Sequence, residues 1–362
     1  MVKSLATPGK YFQGFDILDK LHDRIGFLGE KFLLLSDEIV FEIVKDKLAK
    51  GFSGKNAKWD VLLFDGESTL LEAERIAKIA EEKKCEVIIG IGGGKIADTA
   101  KLVAEIKDFS LVIIPTSVAT NAPCSAMSVI YDEAGKFLES RKTKKHPDVV
   151  LVDTKIIMEA PLKTFIAGIG DAFACYYEAR ACKTSGAMNF TGGIGTDGAY
   201  AIAELCNKML LEHAVSAKQA VSEQQWSVSF EKTVEAIVYL SAVGFENNGC
   251  AIAHGIYSGM TAVLAPFPTT HGEAVAVGVL VQLVAEKIPE KEWDEVIDFY
   301  RSVGLPTCLE DLGIQNVTDE LLSKIGESAC TVSANPHKMP FVVTPKLLFD
   351  SLKTVQERKR KS

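Results

Sequence analysis

Three ionisable residues stand alone in small, apolar surroundings. They are Asp171 in Ala167-Gly168-Ile169-Gly170-Asp171-Ala172-Phe173, His254 in Ala251-Ile252-Ala253-His254-Gly255, and His271 in Pro268-Thr269-Thr270-His271-Gly272-Glu273. One carboxylate and two imidazoles make the donor set of an open zinc site, with three protein ligands and a fourth position for water or substrate. The same residues also read as a helix cap and two satisfied core histidines. They lie far apart in the chain, so spacing leaves both readings open.

A second candidate is Ile88-Ile89-Gly90-Ile91-Gly92-Gly93-Gly94-Lys95-Ile96-Ala97-Asp98, where consecutive glycines follow an apolar run and open a helical pattern. Without Cβ atoms the backbone can turn sharply and admit a pyrophosphate to the helix N-terminus, where free N–H groups and the macrodipole favour anions. Lys95 opposes the dipole there but suits a phosphate. The spacing is neither G-x-G-x-x-G nor the P-loop pattern, so nucleotide binding rests on the strand–glycine–Lys–helix context. A third candidate is the run from Pro115 to Ser125, rich in small hydroxyl residues. Ligands of open α/β sheets sit beyond the carboxyl ends of strands, and hydroxyls there can bond a ribose or an amide, or merely cap a turn.

These groups need elements to hold them. The first 150 or so residues alternate short apolar runs (Phe32–Leu35, Val61–Phe64, Val87–Ile89, Leu111–Ile114) with amphipathic stretches such as Leu70–Lys84 and Lys95–Ile106. Runs without polar alternation read as strands buried on both faces, and their alternation with helices implies a parallel sheet of βαβ units. Ser125–Tyr131 followed by Asp132-Glu133-Ala134-Gly135 reads as a hairpin, and Val149–Val152 as a final strand. Beyond Asp153 the pattern turns helical: Phe165–Cys182, Gly198–Leu211, Phe230–Val243 and Ala274–Lys287. The expected domains are an α/β unit over 1–160 and an all-α unit over 161–362.

Composition narrows the partners. The net charge of −8 argues against a nucleic-acid surface. The one basic run, Arg358-Lys359-Arg360-Lys361, reads as a frayed helix end. Eight cysteines without a C-x-x-C pair suggest a reducing compartment, and the N-terminus lacks an apolar signal core, so a cytoplasmic location is expected. Asn247–Gly272 carries no charged side chain but is broken by His, Pro, Gly and Asn, so it reads as buried interior rather than a membrane span.

Through these motifs the sequence resembles the NAD-dependent glycerol dehydrogenases of the iron-containing (group III) alcohol dehydrogenase superfamily. The likeness runs from Pro8-Gly9-Lys10-Tyr11 through Gly90–Lys95, Ala122-Pro123-Cys124-Ser125-Ala126, Gly168–Ala172 with Glu178–Cys182, and Val243-Gly244-Phe245-Glu246 to Ala253-His254 and His271-Gly272-Glu273. It implies a Rossmann-like α/β domain with a parallel sheet followed by an all-α C-terminal domain, the dehydroquinate synthase-like architecture, with catalysis between the two. It implies Zn²⁺ held by Asp171, His254 and His271, and NAD contacted by Asp37, Gly93, Gly94, Lys95, Thr116, Ser125, Met127 and Tyr131, with Asp98 supporting the glycine loop. A carboxylate at Asp37 would accept from a ribose 2′-OH and repel a 2′-phosphate, favouring NAD over NADP. Asn121 and Phe245 join the metal ligands as implied substrate contacts, and homo-oligomers, up to octamers, are implied.

Departures from the family pattern bear on specificity. Asn121 stands where relatives usually have Asp, Ala119 where they have Ser, and Tyr257 where they often have His. Cys175 occupies the position of a fourth ligand, His, in iron-dependent relatives, one helical turn after Asp171; three ligands and an open position suit zinc. The expected reaction is NAD-linked oxidation of glycerol or a related small vicinal diol to a hydroxyketone. Asn121 leaves another small alcohol or hydroxyketone as an alternative substrate. A dehydroquinate-synthase-like lyase and a nucleotide-binding regulator are the rival readings. The lack of basic residues over Asn247–Gly272 favours a small neutral substrate.

Overall fold

The computed structural model describes residues 2–64, 66–264 and 266–359. The chain divides into two compact units, Thr7–Pro161 and Leu162–Ser362 with Met1–Ala6.

The first unit is built on a six-stranded, wholly parallel sheet. Its order is Lys10–Gly14, Val149–Asp153, Ser110–Pro115, Val87–Gly92, Lys31–Ser36, Lys58–Leu63. Alternate residues of a strand point to opposite faces. Leu33, Leu35, Ile88, Leu111 and Ile113 therefore enter one core, while Phe32, Leu34, Ile89, Val112 and Ile114 enter the other. Both faces being covered is why the central strands read as unbroken apolar runs. Helix Glu38–Phe52 follows the Lys31–Ser36 strand, and helix Gly94–Lys107 follows Val87–Gly92. The hairpin pairs Met127–Tyr131 with Phe137–Lys142. The Asp132 carboxylate organises its turn by accepting from Ala134 N and Lys136 N at 3.0 and 2.8 Å.

The second unit is helical. Leu162–Ser185, Asp197–Ser222, Ile252–Val263 and His271–Glu286 carry most of its interior. The expected helix over Phe230–Val243 extends from Val228 to Asn248, with a wider π-type turn over Ala236–Leu240. Among the described residues no helix is long and apolar enough to cross a membrane. All eight cysteines are free thiols, and seven are buried.

The reading of the C-terminal basic run needs correction. Arg358 is anchored, not frayed: its guanidinium pairs with Glu290 at 3.0 Å and lies 4.4 Å from the centre of the Trp293 ring. Arg360, Lys361 and Ser362 lie outside the described residues.

Candidate metal centre

Three helices of the second unit deliver one donor each. Asp171 sits mid-way along Leu162–Ser185, His254 in the first turn of Ile252–Val263, and His271 at the first position of His271–Glu286. The helices meet backbone to backbone where side chains are absent. A Cβ on Gly272 would strike the carbonyl of Ala167, one turn before Asp171, and a Cβ on Gly278 would strike that of Ala253, beside His254. A capping box starts the third helix. Glu273 accepts from Thr270 N at 3.2 Å and from the Thr269 and Thr270 hydroxyls at 2.5 and 2.6 Å, so His271 enters in a set direction.

The outcome is convergence. His254 Nε2 and His271 Nε2 lie 3.5 and 3.2 Å from the same oxygen, Asp171 Oδ1. All three donor atoms fall within 4.8 Å of one another. A tetrahedral ion with ligands at about 2.0–2.1 Å sets neighbouring donors about 3.3 Å apart, so this set fits an ion of zinc size. Burial alone would raise the Asp171 carboxyl, but the two imidazoles, His271 foremost, hold it well below the usual carboxylate range. Burial also opposes charge on His254, yet Cys250, Glu178 and Asp171 together lift its pKa well above the ordinary value. The buried carboxylate is thus held ionised by its imidazole neighbours, the role a metal ion would take over.

Other residues close the centre. The Tyr257 ring stands edge-on to His271, 85° between planes and 4.3 Å between centres, and meets Phe267 on its other side. Cys175 does not join the donors: its sulfur faces Gly244, and burial pushes its thiol pKa up, as suits packing. Phe245 packs against Cys175, Ala179 and Ala203 and edge-on to Phe190, which groups it with the core rather than with Asp171.

The dinucleotide candidates belong to the first unit. Gly93 is the N-cap of helix Gly94–Lys107, and side chains added at Gly93 or Gly94 would meet no backbone, leaving the helix N-terminus approachable. Asp37 follows the adjacent strand and caps its own helix, accepting from Val40 N at 2.8 Å. Lys95 pairs with Glu67 at 2.5 Å. Thr116 N donates to Gly92 O at 3.2 Å, tying the hydroxyl-rich loop to the glycine turn. The Asp98 carboxylate meets Lys101 at 3.5 Å and accepts from the Val129 N–H of the hairpin, and burial raises its pKa against both. Tyr131 N donates to Ser68 O at 2.9 Å.

Two residues to which the sequence assigned no role organise these sites. Lys101, wholly buried, donates to the carbonyls of Ala122 and Met127 at 2.7 and 2.6 Å and so spans the loop that carries Asn121 and Ser125. Glu178, two helical turns after Asp171, accepts from His254 Nδ1 at 2.6 Å. A carboxylate seven residues from a ligand on one helix shares its face, but that spacing alone does not tell a buried charge from a solvated one.

Comparison with known proteins agrees with this picture. The model of the iron-containing alcohol dehydrogenase family matches residues 8–154. A glycerol dehydrogenase of Thermotoga maritima is 41% identical over 355 residues, 98% of this chain and 96% of its own. A glycolaldehyde reductase of Halobacterium salinarum is 36% identical over 361 residues, covering 100% of this chain and 99% of its own. The crystal structure of a probable glycerol dehydrogenase from Sinorhizobium meliloti superposes with a TM-score of 0.92 at 36% identity, over 100% of both chains.

Proposed function

The chain belongs to the iron-containing alcohol dehydrogenase family as a glycerol dehydrogenase-like oxidoreductase, and on that premise we propose that it oxidises a small vicinal diol, glycerol or a close analogue, to the hydroxyketone with NAD. The observation that carries the reading is the approach of both imidazole Nε2 atoms to Asp171 Oδ1, at 3.2 and 3.5 Å. Asp171, His254 and His271 would hold a divalent ion, and the set of one oxygen and two nitrogens, with Cys175 turned away, suits zinc. When bound, such an ion supplies Lewis acidity that lowers the pKa of an alcohol hydroxyl at the remaining position. Bound NAD would supply the hydride acceptor for the carbinol carbon.

The chain's own residues do the rest by position. The N–H groups at Gly93, Gly94 and Lys95 open a helix and favour a pyrophosphate. The Asp37 carboxylate favours a ribose 2′-OH over a 2′-phosphate. Thr116, Ser125, Met127 and Tyr131 are the proposed contacts for the rest of the cofactor, with Lys101 holding their loop. Asn121 presents an amide, which donates and accepts hydrogen bonds but carries no charge and relays no proton. It is the proposed determinant of which diol is preferred. Reduction of a small hydroxyaldehyde is the second reading, favoured by the end-to-end relative named a glycolaldehyde reductase.

A panel of glycerol, other vicinal diols, dihydroxyacetone and glycolaldehyde, assayed with NAD(H) and NADP(H), tests the proposal. Net NADH formation from a neutral diol, abolished by chelation and restored by Zn²⁺, is expected. Turnover without net NADH would move the assignment to a lyase that uses NAD catalytically. Full activity of metal-stripped protein would end the metal reading.

A further inference from the structure

Helix Ile252–Val263 begins without a capping side chain of its own, because Ala251 stands at its N-cap. Its first-turn N–H groups are satisfied from other helices by two wholly buried side chains. Glu178 Oε1 accepts from Ala251 N at 2.7 Å and from His254 N at 3.0 Å, and Gln282 Oε1 accepts from Ala253 N at 3.3 Å. The second Glu178 oxygen, Oε2, lies 2.6 Å from His254 Nδ1. One carboxylate therefore grips both the backbone and the ring of the same histidine.

Chemistry then dictates the proton's place. An ionised carboxylate only accepts, so His254 carries a hydrogen on Nδ1, and in the neutral ring that binds a metal the lone pair lies on Nε2. Nε2 is the atom that faces Asp171 Oδ1. Glu178, Cys250 and His254 also place donor atoms within 4.8 Å of one another, which raises a second cation site as an alternative. The 2.6 Å approach of Oε2 to Nδ1 excludes it: an ion with ligands at about 2.0–2.2 Å would hold these atoms more than about 3 Å apart.

We propose that Glu178 is a positioning residue which sets the tautomer of His254 and thereby the metal affinity of the centre. The inference rests on the metal reading above and adds to it a residue that touches neither metal nor substrate.

The isosteric variant Glu178→Gln isolates the effect. Two backbone N–H groups face Oε1, so the amide oxygen must stay there and the NH₂ must face Nδ1. Nδ1 then has to accept, and the ring hydrogen moves to Nε2, which closes the lone pair to a metal. Zn²⁺ affinity is measured by competition with a chelator on wild type and variant. The His254 tautomer is read from ¹⁵N imidazole shifts of the metal-free proteins, at a pH alkaline enough to leave the ring neutral, assigned against His254→Gln.

Wild type is expected to show Nδ1–H at His254, and Glu178→Gln to show Nε2–H with Zn²⁺ bound about 10–100-fold more weakly. A residue that served only as a helix cap would lower the melting temperature and leave the tautomer alone. Unchanged affinity in a folded Glu178→Gln, or Nε2–H in the wild type, overturns the inference while leaving the metal reading intact. Absence of Zn²⁺ binding by the wild type overturns both. If the variant does not fold, the wild-type spectrum decides.

Discussion

Gly278 lies within helix His271–Glu286, where replacing glycine by alanine ordinarily stabilises a protein by about 1 kcal/mol through backbone entropy and helix propensity. Here the sign should reverse. A Cβ at this position would lie inside contact distance of the Ala253 carbonyl oxygen, its carbon and its Cα, all backbone of a neighbouring helix. Backbone in a helix cannot rotate out of the way as a side chain can, so the helices must separate. Overpacking costs about 1–3 kcal/mol, and a backbone obstacle places it at the upper end. Subtracting about 1 kcal/mol of propensity leaves a net loss of about 2 kcal/mol for Gly278→Ala. In a domain of about 150–250 residues each kcal/mol moves the melting temperature by about 2–4 °C, so a fall of about 4–8 °C is expected for the metal-free protein. Ala253 precedes His254, so the separation should also weaken Zn²⁺ retention against a chelator. A variant that melts at or above the wild-type temperature would show that the helices do not depend on this contact, and the account of how His254 is brought to Asp171 would fall.

Gly94→Ala should behave oppositely: its side chain meets open space, so stability should stay within about 0.5 kcal/mol, while NAD affinity, read by calorimetry, should drop if the pyrophosphate lies there. Unchanged affinity would remove the phosphate from that turn. Zn²⁺ at about 100 times its dissociation constant should stabilise the protein by about 2.7 kcal/mol, and Asp171→Asn should abolish the rise in melting temperature. Lys101→Met strips two half-buried carbonyls of their donor, at about 1 kcal/mol each, and should raise KM for NAD; a stable variant with native KM would show that the loop needs no such tie. Asn121→Asp should shift preference toward glycerol in kcat/KM ratios over the diol panel, and an unmoved ratio would dismiss position 121 as a determinant.

What the sequence disclosed followed burial. Central strands such as Val87–Gly92 and Ser110–Pro115 are covered on both faces and announce themselves as apolar runs. Lys10–Gly14 lies at the sheet edge with no fully buried residue and only Phe12 packed against the core, so it carries no apolar run to read. Lys58–Leu63, the opposite edge, begins three residues before the apolar run because its register pairs Lys58 with Lys31. The C-terminal run misled because charge was read without its partners, whereas Arg358 stacks on Trp293.

The same asymmetry governs the site. Asp171, His254 and His271 were visible because an ionisable side chain in apolar surroundings is conspicuous in any linear reading, as is a glycine run after a strand. The groups that aim them were not conspicuous. Lys101 and Glu178 sit in helical sequence that tolerates Lys and Glu on any exposed face, so composition cannot distinguish a solvated charge from one that is wholly buried. Only the fold shows that Glu178 spends its oxygens on a helix start 73 to 76 residues away in the chain. Leaving such a carboxylate buried without partners would cost several kcal/mol, so its presence obliges a donor set to face it, and that set is the ring and backbone of a metal-facing histidine. A buried charge is therefore evidence of function only through what it holds, which is why the orienting residue emerges with the structure although its ligand was readable without it.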